Sequence, residues 1–181
     1  GLDVSIVYLS SGDSKQALRE EEAVEVCKYL KANKPYFLRL HKTGFNVSLE
    51  NVKKIIRVFM QIQPDIVFIN HDQDGDREHQ ISYQLTTEAT WRYNMEAGKD
   101  KQINGILLYE VHKPMQNYNL VEDISSVIKQ KMLAMSLYKT QLNNSKVDLA
   151  VEGLNRYRGS MHEGVDFAEA FQIKKLVSLF S

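Results

Sequence analysis

The 181-residue chain has one cysteine, three prolines and no excess charge of either sign. The lone Cys27 can form neither an internal disulfide nor a cysteine-based zinc site, which predicts a reducing, cytoplasmic location. Because 23 Lys and Arg balance 23 Asp and Glu, no net field attracts nucleic acid or an anionic membrane. No apolar run approaches the ~18 residues that a transmembrane segment needs. The composition therefore predicts a folded globular domain without a nucleic-acid partner.

Motifs of several common chemistries are also missing. The sequence has no G-x-G-x-x-G fingerprint, no phosphate loop with Gly-Lys-Ser/Thr and no G-x-S-x-G elbow, which excludes the usual nucleotide-binding and serine-hydrolase sites. Cys27 lies on the apolar stripe of a predicted helix, so we expect a small core residue rather than a nucleophile.

Short apolar runs alternate with amphipathic stretches along the chain. The runs predict strands over 4–9, 35–40, 65–70 and 103–110, and apolar residues at helical spacing predict helices between and after them. Ser48 is a plausible N-cap of the second helix. The pattern of the tail from residue 165 mixes strand and helix. This order predicts an α/β fold, a Rossmann-like three-layer sandwich with a mostly parallel sheet, as one domain over residues 1–181.

Candidate ligands concentrate in the loop after the third predicted strand, at an edge where open α/β sheets bind ligands. Six lie within nine positions: His71, Asp72, Asp74, Asp76, Glu78 and His79. A solvated acidic loop is the ordinary alternative. The alternating aspartates resemble the start of a calcium loop, but glycine is at the fourth position instead of the sixth, and the twelfth is tyrosine. Zinc at His79 would need three protein ligands and an open position.

Segments spread over nearly the whole chain share one resemblance. In order they are GLDVSIVYLSSGD at 1–13, LREEEA at 18–23, QPDIVF at 63–68, YEVHKP at 109–114, KMLAMSLYKTQ at 131–141 and GVDFAEAF at 164–171. Together they resemble the LmbE or PIG-L family of zinc-dependent N-acetylglucosaminyl deacetylases. Within these segments, we predict that Arg19 and Glu169 are structural and that each makes an ion pair.

The sequence departs from the family at its metal motifs. Members usually carry H-P-D-D-E after their first strand, which supplies two zinc ligands and a general base, and this sequence has no such motif. The resemblance implies that one strand-helix unit of roughly 25 to 30 residues is missing. The second motif, H-x-D-H, aligns with residues 76–79. His79 is then the metal ligand, Glu78 replaces the aspartate, and Asp76 stands where a histidine would polarise the substrate carbonyl.

That last replacement bears on catalysis, because a carboxylate cannot stabilise an oxyanion as an imidazolium can. A protonated Asp76 could do so, if neighbouring carboxylates raised its pKa. On the sugar side, Lys42 replaces an arginine of some relatives, and Arg158 is a weaker candidate for substrate binding, with a surface salt bridge as its alternative.

The resemblance implies a hydrolase that uses zinc, or another divalent metal, to remove the acetyl group from an N-acetylglucosamine-type amino-sugar conjugate. Its catalytic residues would be Asp76 and Glu78, and a homo-oligomer is left open. The alternative is a non-catalytic member or fragment that serves as a carbohydrate-binding or interaction module. Because the chain offers one ligand, His79, in the family's position, we expect it to bind zinc weakly or not at all.

Overall fold

The computed structural model describes residues 2–143, 145–162 and 164–177. The elements follow in the order β1 (Val7–Tyr8), α1 (Gln16–Leu30), β2 (Tyr36–Phe37), α2 (Leu49–Ile62), β3 (Ile66–Asn70), α3 (Arg77–Glu96), β4 (Gly105–Tyr109), β5 (Leu120–Asp123), α4 (Ile128–Ser136), α5 (Lys139–Leu142), α6 (Val147–Ser160) and β6 (Ala168–Leu176). Short 3₁₀ turns occupy Lys42–Gly44 and Lys99–Lys101. Among the described helices, none has the length and apolar character needed to cross a bilayer.

The chain divides into two compact units. One comprises Gly1–Gly44 and Asp123–Glu169, and the other comprises Phe45–Glu122 and Ala170–Ser181. The first unit contains the parallel pair β1–β2, and the second is built on a four-stranded sheet in the order β3-β4-β6-β5. The expectation of one domain over residues 1–181 stays a prediction.

The sheet of the second unit is only partly parallel. β3 pairs with β4 in parallel, from Ile66 opposite Gly105 to Asn70 opposite Tyr109. β6, formed by the tail of mixed pattern, runs antiparallel to β4. The α/β class is confirmed, whereas the expectation of a mostly parallel sheet needs this correction. Strand-helix-strand alternation favours parallel pairing only where a crossover helix joins the two strands.

The helices of the second unit confirm the predicted N-cap. The Ser48 hydroxyl accepts a hydrogen bond from the Asn51 amide at 3.3 Å, at the first turn of α2. The apolar stripe of α2 is buried, including Val52 and Phe59. Phe59 meets Tyr93 of α3 edge to face, with ring centroids 5.8 Å apart. α2 is therefore fixed against α3, the helix that follows the candidate loop.

In the first unit, Cys27 is buried on α1, as its position on the apolar stripe predicted. The predicted ion pair of Glu169 is confirmed, with Lys131 as its partner. The ion pair predicted for Arg19 is wrong: the structure shows none with a described residue, and its buried Nε has no hydrogen-bond partner. The adjacent Glu20 is instead bound by the guanidinium of Arg39, with both contacts at 2.8 Å.

Candidate functional site

The candidate site of the second unit is the connection from β3 to α3, residues 71–76, with the first turn of α3. Asn70, the last residue of β3, is buried, and its side-chain amide donates to the carbonyls of His71 at 3.1 Å and His79 at 2.8 Å. One side chain at the strand end thus holds the start of both the loop and the helix. The end of β3 therefore helps to position the loop and the first turn of α3.

Asp76 is the N-cap of α3. Its Oδ1 accepts hydrogen bonds from the backbone amides of Glu78 at 2.6 Å and His79 at 3.3 Å. Aspartate is among the residues preferred at this position, because helix N-terminal amides lack partners within the helix. Asp76 has a clear structural role, and the catalytic role inferred from the family motif stays a prediction.

Asp74 is the best-anchored carboxylate of the loop. Its side chain is fully buried. Oδ1 accepts from the Asp76 amide at 2.9 Å and lies 3.0 Å from Nδ1 of His79, and Oδ2 accepts from the His112 amide at 3.0 Å. Burial acts to raise the pKa of this carboxyl, but the amides of Asp76 and His112 and the His79 imidazole together hold the pKa below its usual range. Asp74 is therefore an ionised acceptor at the centre of the site.

His79 has one engaged ring nitrogen and one open one. Nδ1 contacts Asp74, and the ring stacks on that of His112 with centroids 5.0 Å apart and an angle of 9° between planes. Within the described part of the chain, Nε2 has no hydrogen-bond partner, and the side chain is 30% exposed. Such a nitrogen can bind a metal ion or accept a proton.

His71 lies in the same loop but has no open nitrogen. Its ring is buried, Nε2 donates to the Lys113 carbonyl at 2.7 Å, and Nδ1 accepts from the Gln73 amide at 3.2 Å. A histidine with both nitrogens bonded to backbone groups cannot act as a metal ligand without breaking one of those bonds. His71 is therefore structural.

The residues present do not form a complete metal site. No group of three or more His, Cys, Asp or Glu side chains suited to a metal ion occurs in residues 2–143, 145–162 and 164–177. A catalytic zinc needs three protein ligands, and His79 provides one. The calcium interpretation also lacks its ligands, because the oxygens of Asp74 and Oδ1 of Asp76 face N–H donors.

The other predicted site residues differ in their surroundings. Glu78 lies in the first turn of α3, and its carboxylate has no hydrogen-bond partner among described residues. Lys42 and Arg158 belong to the first unit. Lys42 is exposed in a 3₁₀ turn, whereas Arg158 is buried on α6, 5.8 Å from the ring centroid of Tyr157. Arg158 is thus not a surface residue. The structure brings together Asp76, Glu78 and His79.

Sequence reasoning did not identify what Asp74 and His112 do here. Asp74 was one of several acidic residues in the loop, and nothing in its neighbours separates it from the exposed Asp72. The His112 amide that binds Asp74 lies 38 residues further along the chain. A contact at this separation has no local sequence signal.

The fold and the loop define a class: an α/β protein with its polar site at the carboxyl end of a parallel strand. A family model described as "PIG-L: GlcNAc-PI de-N-acetylase" matches residues 1–90, which include the whole candidate loop and the start of α3. The chain belongs to the PIG-L family.

Solved structures share this fold at low sequence identity. The conserved protein TT1542 from Thermus thermophilus is 23% identical, with a TM-score of 0.85 over 100% of this chain and 85% of that one. N,N'-diacetylchitobiose deacetylase from Pyrococcus horikoshii is 20% identical, with a TM-score of 0.81 over 97% and 74% of the two chains.

A third structure carries another activity on the same fold. GalB, the 4-carboxy-2-hydroxymuconate hydratase from Pseudomonas putida KT2440, is 18% identical, with a TM-score of 0.81 over 99% of this chain and 87% of that one. A deacetylase and a hydratase thus share the architecture, and the fold alone does not select the reaction.

Proposed function

We propose that this protein removes the acetyl group from an N-acetylglucosamine-type amino-sugar conjugate, and that the reaction depends on zinc or another divalent metal. The observation that carries the proposal is the position of His79. Its open Nε2 lies at the carboxyl end of β3, inside the segment that matches the GlcNAc-PI de-N-acetylase family. Membership of that family favours deacetylation over the other chemistry known on this fold.

Of the two proposed catalytic carboxylates, Glu78 is better placed to transfer a proton during the reaction. Its carboxylate has no hydrogen-bond partner in the described structure, whereas Oδ1 of Asp76 binds two amides of α3. Lys42 and Arg158 remain proposed contacts for the sugar, and a cytoplasmic location remains a proposal based on the single cysteine. A bound divalent metal would supply a hydroxide nucleophile at neutral pH, and two ligands besides His79 would be required.

Acetate release from an N-acetylglucosaminide, measured with added zinc, cobalt or manganese, tests the proposal. Replacing His79 with Ala should lower the rate by more than about 100-fold, since loss of a ligand is at least as costly as loss of its supporting partner. His41→Ala is the matched control, because His41 is an exposed histidine outside the loop. Measurable acetate release at the same rate by His79→Ala and the unchanged chain would contradict the proposal.

The gene sequence upstream of Gly1 provides a second test. An H-P-D-D motif there, together with acetate release by the chain extended to include it, supports the enzyme. Inactivity of that extended chain with each metal would argue against it.

A non-catalytic carbohydrate-binding or interaction module is the second candidate. Two observations favour it: the sequence has no H-P-D-D motif, and the described residues contain no three-ligand cluster. Calorimetry with N-acetylglucosamine distinguishes the two functions. Binding without acetate release in any metal supports the module, whereas turnover excludes it.

A further inference from the structure

We propose that Arg39 is a positioning residue, whose backbone and side chain together fix the course of residues 41–44 and so hold Lys42, a proposed sugar contact, in one place. The sugar part of this inference rests on the proposed function. The part that concerns the course of the segment is a property of the protein alone, and it can be tested without metal or substrate.

The first argument is a change of register beside Arg39. The ladder between β1 and β2 is regular up to the Leu38 amide, which donates to the Tyr8 carbonyl at 2.9 Å. In a regular parallel ladder the next bond would lie two residues further along both strands. The Leu40 amide instead donates at 2.8 Å to the carbonyl of Leu9, the residue directly after Tyr8. Arg39 is therefore the extra residue of a β-bulge, a feature that redirects the side chains beside it.

The second argument is that arginine is conformationally unfavourable at this position and yet its side chain is used. With a φ of 51°, Arg39 lies in the left-handed region, where a Cβ is crowded and glycine is favoured. Its guanidinium donates two hydrogen bonds to the carboxylate of Glu20 on α1, both at 2.8 Å, in the bidentate geometry typical of arginine. The hydroxyl of the buried Ser11 also donates to Glu20, at 2.9 Å. The bulge is thus tied to α1 and to the connection after β1.

The third argument is that the segment after the bulge is also held. Nε2 of His41 lies 3.3 Å from Oδ2 of Asp13, in the connection after β1. Nδ1 of His41 accepts from the Thr43 amide at 3.4 Å, and its carbonyl accepts from the Gly44 amide at 2.8 Å. Lys42 lies within this turn and is exposed. Its backbone is therefore fixed, while its side chain can reach a ligand.

A fixed backbone matters for binding, because a contact that is already in place loses less entropy when the ligand arrives. A purely structural ion pair is the alternative, and it would not depend on the backbone conformation of residue 39. Replacement of Arg39 by glycine and by alanine separates the two. Both changes remove the guanidinium, but only glycine adopts a left-handed φ without steric cost.

Hydrogen exchange of the Leu40 amide, measured by NMR without metal or sugar, reports whether the bulge is intact. This amide should be protected in the unchanged chain, and its exchange should be about tenfold faster in Arg39→Ala, since alanine disfavours the left-handed conformation. Arg39→Gly should exchange more slowly than Arg39→Ala. Glu20→Gln should also speed exchange, whereas Glu21→Gln, at the exposed neighbouring glutamate, should not.

The Leu38 amide, which precedes the bulge in the same ladder, is the internal reference for a general loss of stability. Equal acceleration at Leu38 and Leu40 would overturn the inference, because the ion pair would then support the whole fold. Equal Leu40 exchange in Arg39→Gly and Arg39→Ala, or in Glu20→Gln and the unchanged chain, would overturn it as well. If Arg39→Ala fails to fold, the comparison of Glu20→Gln with Glu21→Gln decides.

Titration with N-acetylglucosamine, followed by the amide signals of residues 41–44, tests the sugar part. We expect the Lys42 signal to shift in the unchanged chain, with the Kd raised about 5- to 10-fold in Arg39→Ala and less in Arg39→Gly. A Kd raised equally in both variants, or in neither, would overturn this part. A Lys42 signal that does not shift in the unchanged chain would overturn both the Lys42 contact and this part.

The inference and the proposed function can fail separately. If Leu40 exchange follows the expected order but no N-acetylglucosaminide releases acetate, the deacetylase proposal fails and the role of Arg39 in fixing the segment stands. If acetate is released but Leu40 exchange is the same in every variant, the inference fails and the function stands.

Discussion

Two polar loops follow parallel strands in this protein, and they are built differently. After β3, His71 and Asp74 are buried, and their polar atoms bind backbone groups of the surrounding loops. After β2, Arg39, His41 and Lys42 are exposed, and the first two bind other side chains. Position after a strand therefore does not by itself make a site. What distinguishes the loop after β3 is a buried carboxylate that orients one histidine and leaves its second nitrogen open.

The largest expected effect is the loss of stability on removing the Asp74 carboxylate. Asp74→Ala leaves the amides of Asp76 and His112 and Nδ1 of His79 without their acceptor. We expect the free energy of unfolding to fall by about 3 kcal/mol, since each buried donor left unpaired carries a penalty. Urea denaturation measures this change. Asp72→Ala, at an exposed carboxylate of the same loop, should change stability by less than about 0.5 kcal/mol. Equal losses for Asp74→Ala and Asp72→Ala would show that the buried carboxylate does not distinguish this loop.

His71, in the loop, and His79, in the first turn of α3, should contribute differently to the stability of the fold. His71→Ala removes two hydrogen bonds to buried backbone groups, and we expect a loss of about 2 kcal/mol in unfolding free energy. His79→Ala removes one bond from a partly exposed ring and should cost roughly 1 kcal/mol. Urea titrations of the two variants give the order, and the reverse order would show that the ring of His79, not that of His71, supports the loop.

A smaller effect is expected at the ion pair of Glu169 in the first unit. Lys131 binds both Glu169 and the side-chain oxygen of Asn155, so Glu169→Ala leaves the ammonium with one partner fewer. Because the pair is partly exposed, we expect about 1 kcal/mol of lost stability and no change at the loop of the second unit. Glu50→Ala, which breaks the surface pair with Lys54 at 3.4 Å, is the control and should cost a few tenths of a kcal/mol at most. If Glu169→Ala lost no more stability than Glu50→Ala, the Lys131–Glu169 pair would contribute no more than a surface ion pair does.

The smallest effect concerns the pH dependence at Glu20. The hydrogen bond from Arg39 chiefly lowers the pKa of Glu20, with a further contribution from Ser11, while burial opposes the shift. A carboxyl with a lowered folded-state pKa stabilises the fold above its unfolded pKa, near ~4.3. This contribution is lost as pH falls through the lower folded value. Glu20→Gln should therefore reduce stability near neutral pH and have no such effect in strong acid. A difference from the unchanged chain that does not diminish on acidification would show that the ion pair is not its source.

Sequence patterns located most elements, and local geometry explains where they ended. β1 and β2 are shorter than the predicted runs, although backbone hydrogen bonds between the segments continue to the bond from the Leu40 amide to the Leu9 carbonyl. Arg39 has a φ of 51°, outside the extended region, and this turn of the backbone interrupts the ladder. No sequence pattern predicts such a conformation at a non-glycine residue.

Three features depend on residues within about four positions of each other. They are the polar character of the loop after β3, the N-caps at Ser48 and Asp76, and the alternation of strands and helices. For this reason the sequence by itself determined them, and it pointed to His79 through its motif. The direction of β6 and the use of Asp74 were decided only by the tertiary structure. Asp74 reaches the His112 amide because β3 and β4 lie side by side, with Asn70 opposite Tyr109, so that the loops leaving the two strands meet. A hydrogen bond across 38 residues exists only once the sheet has brought its two ends together.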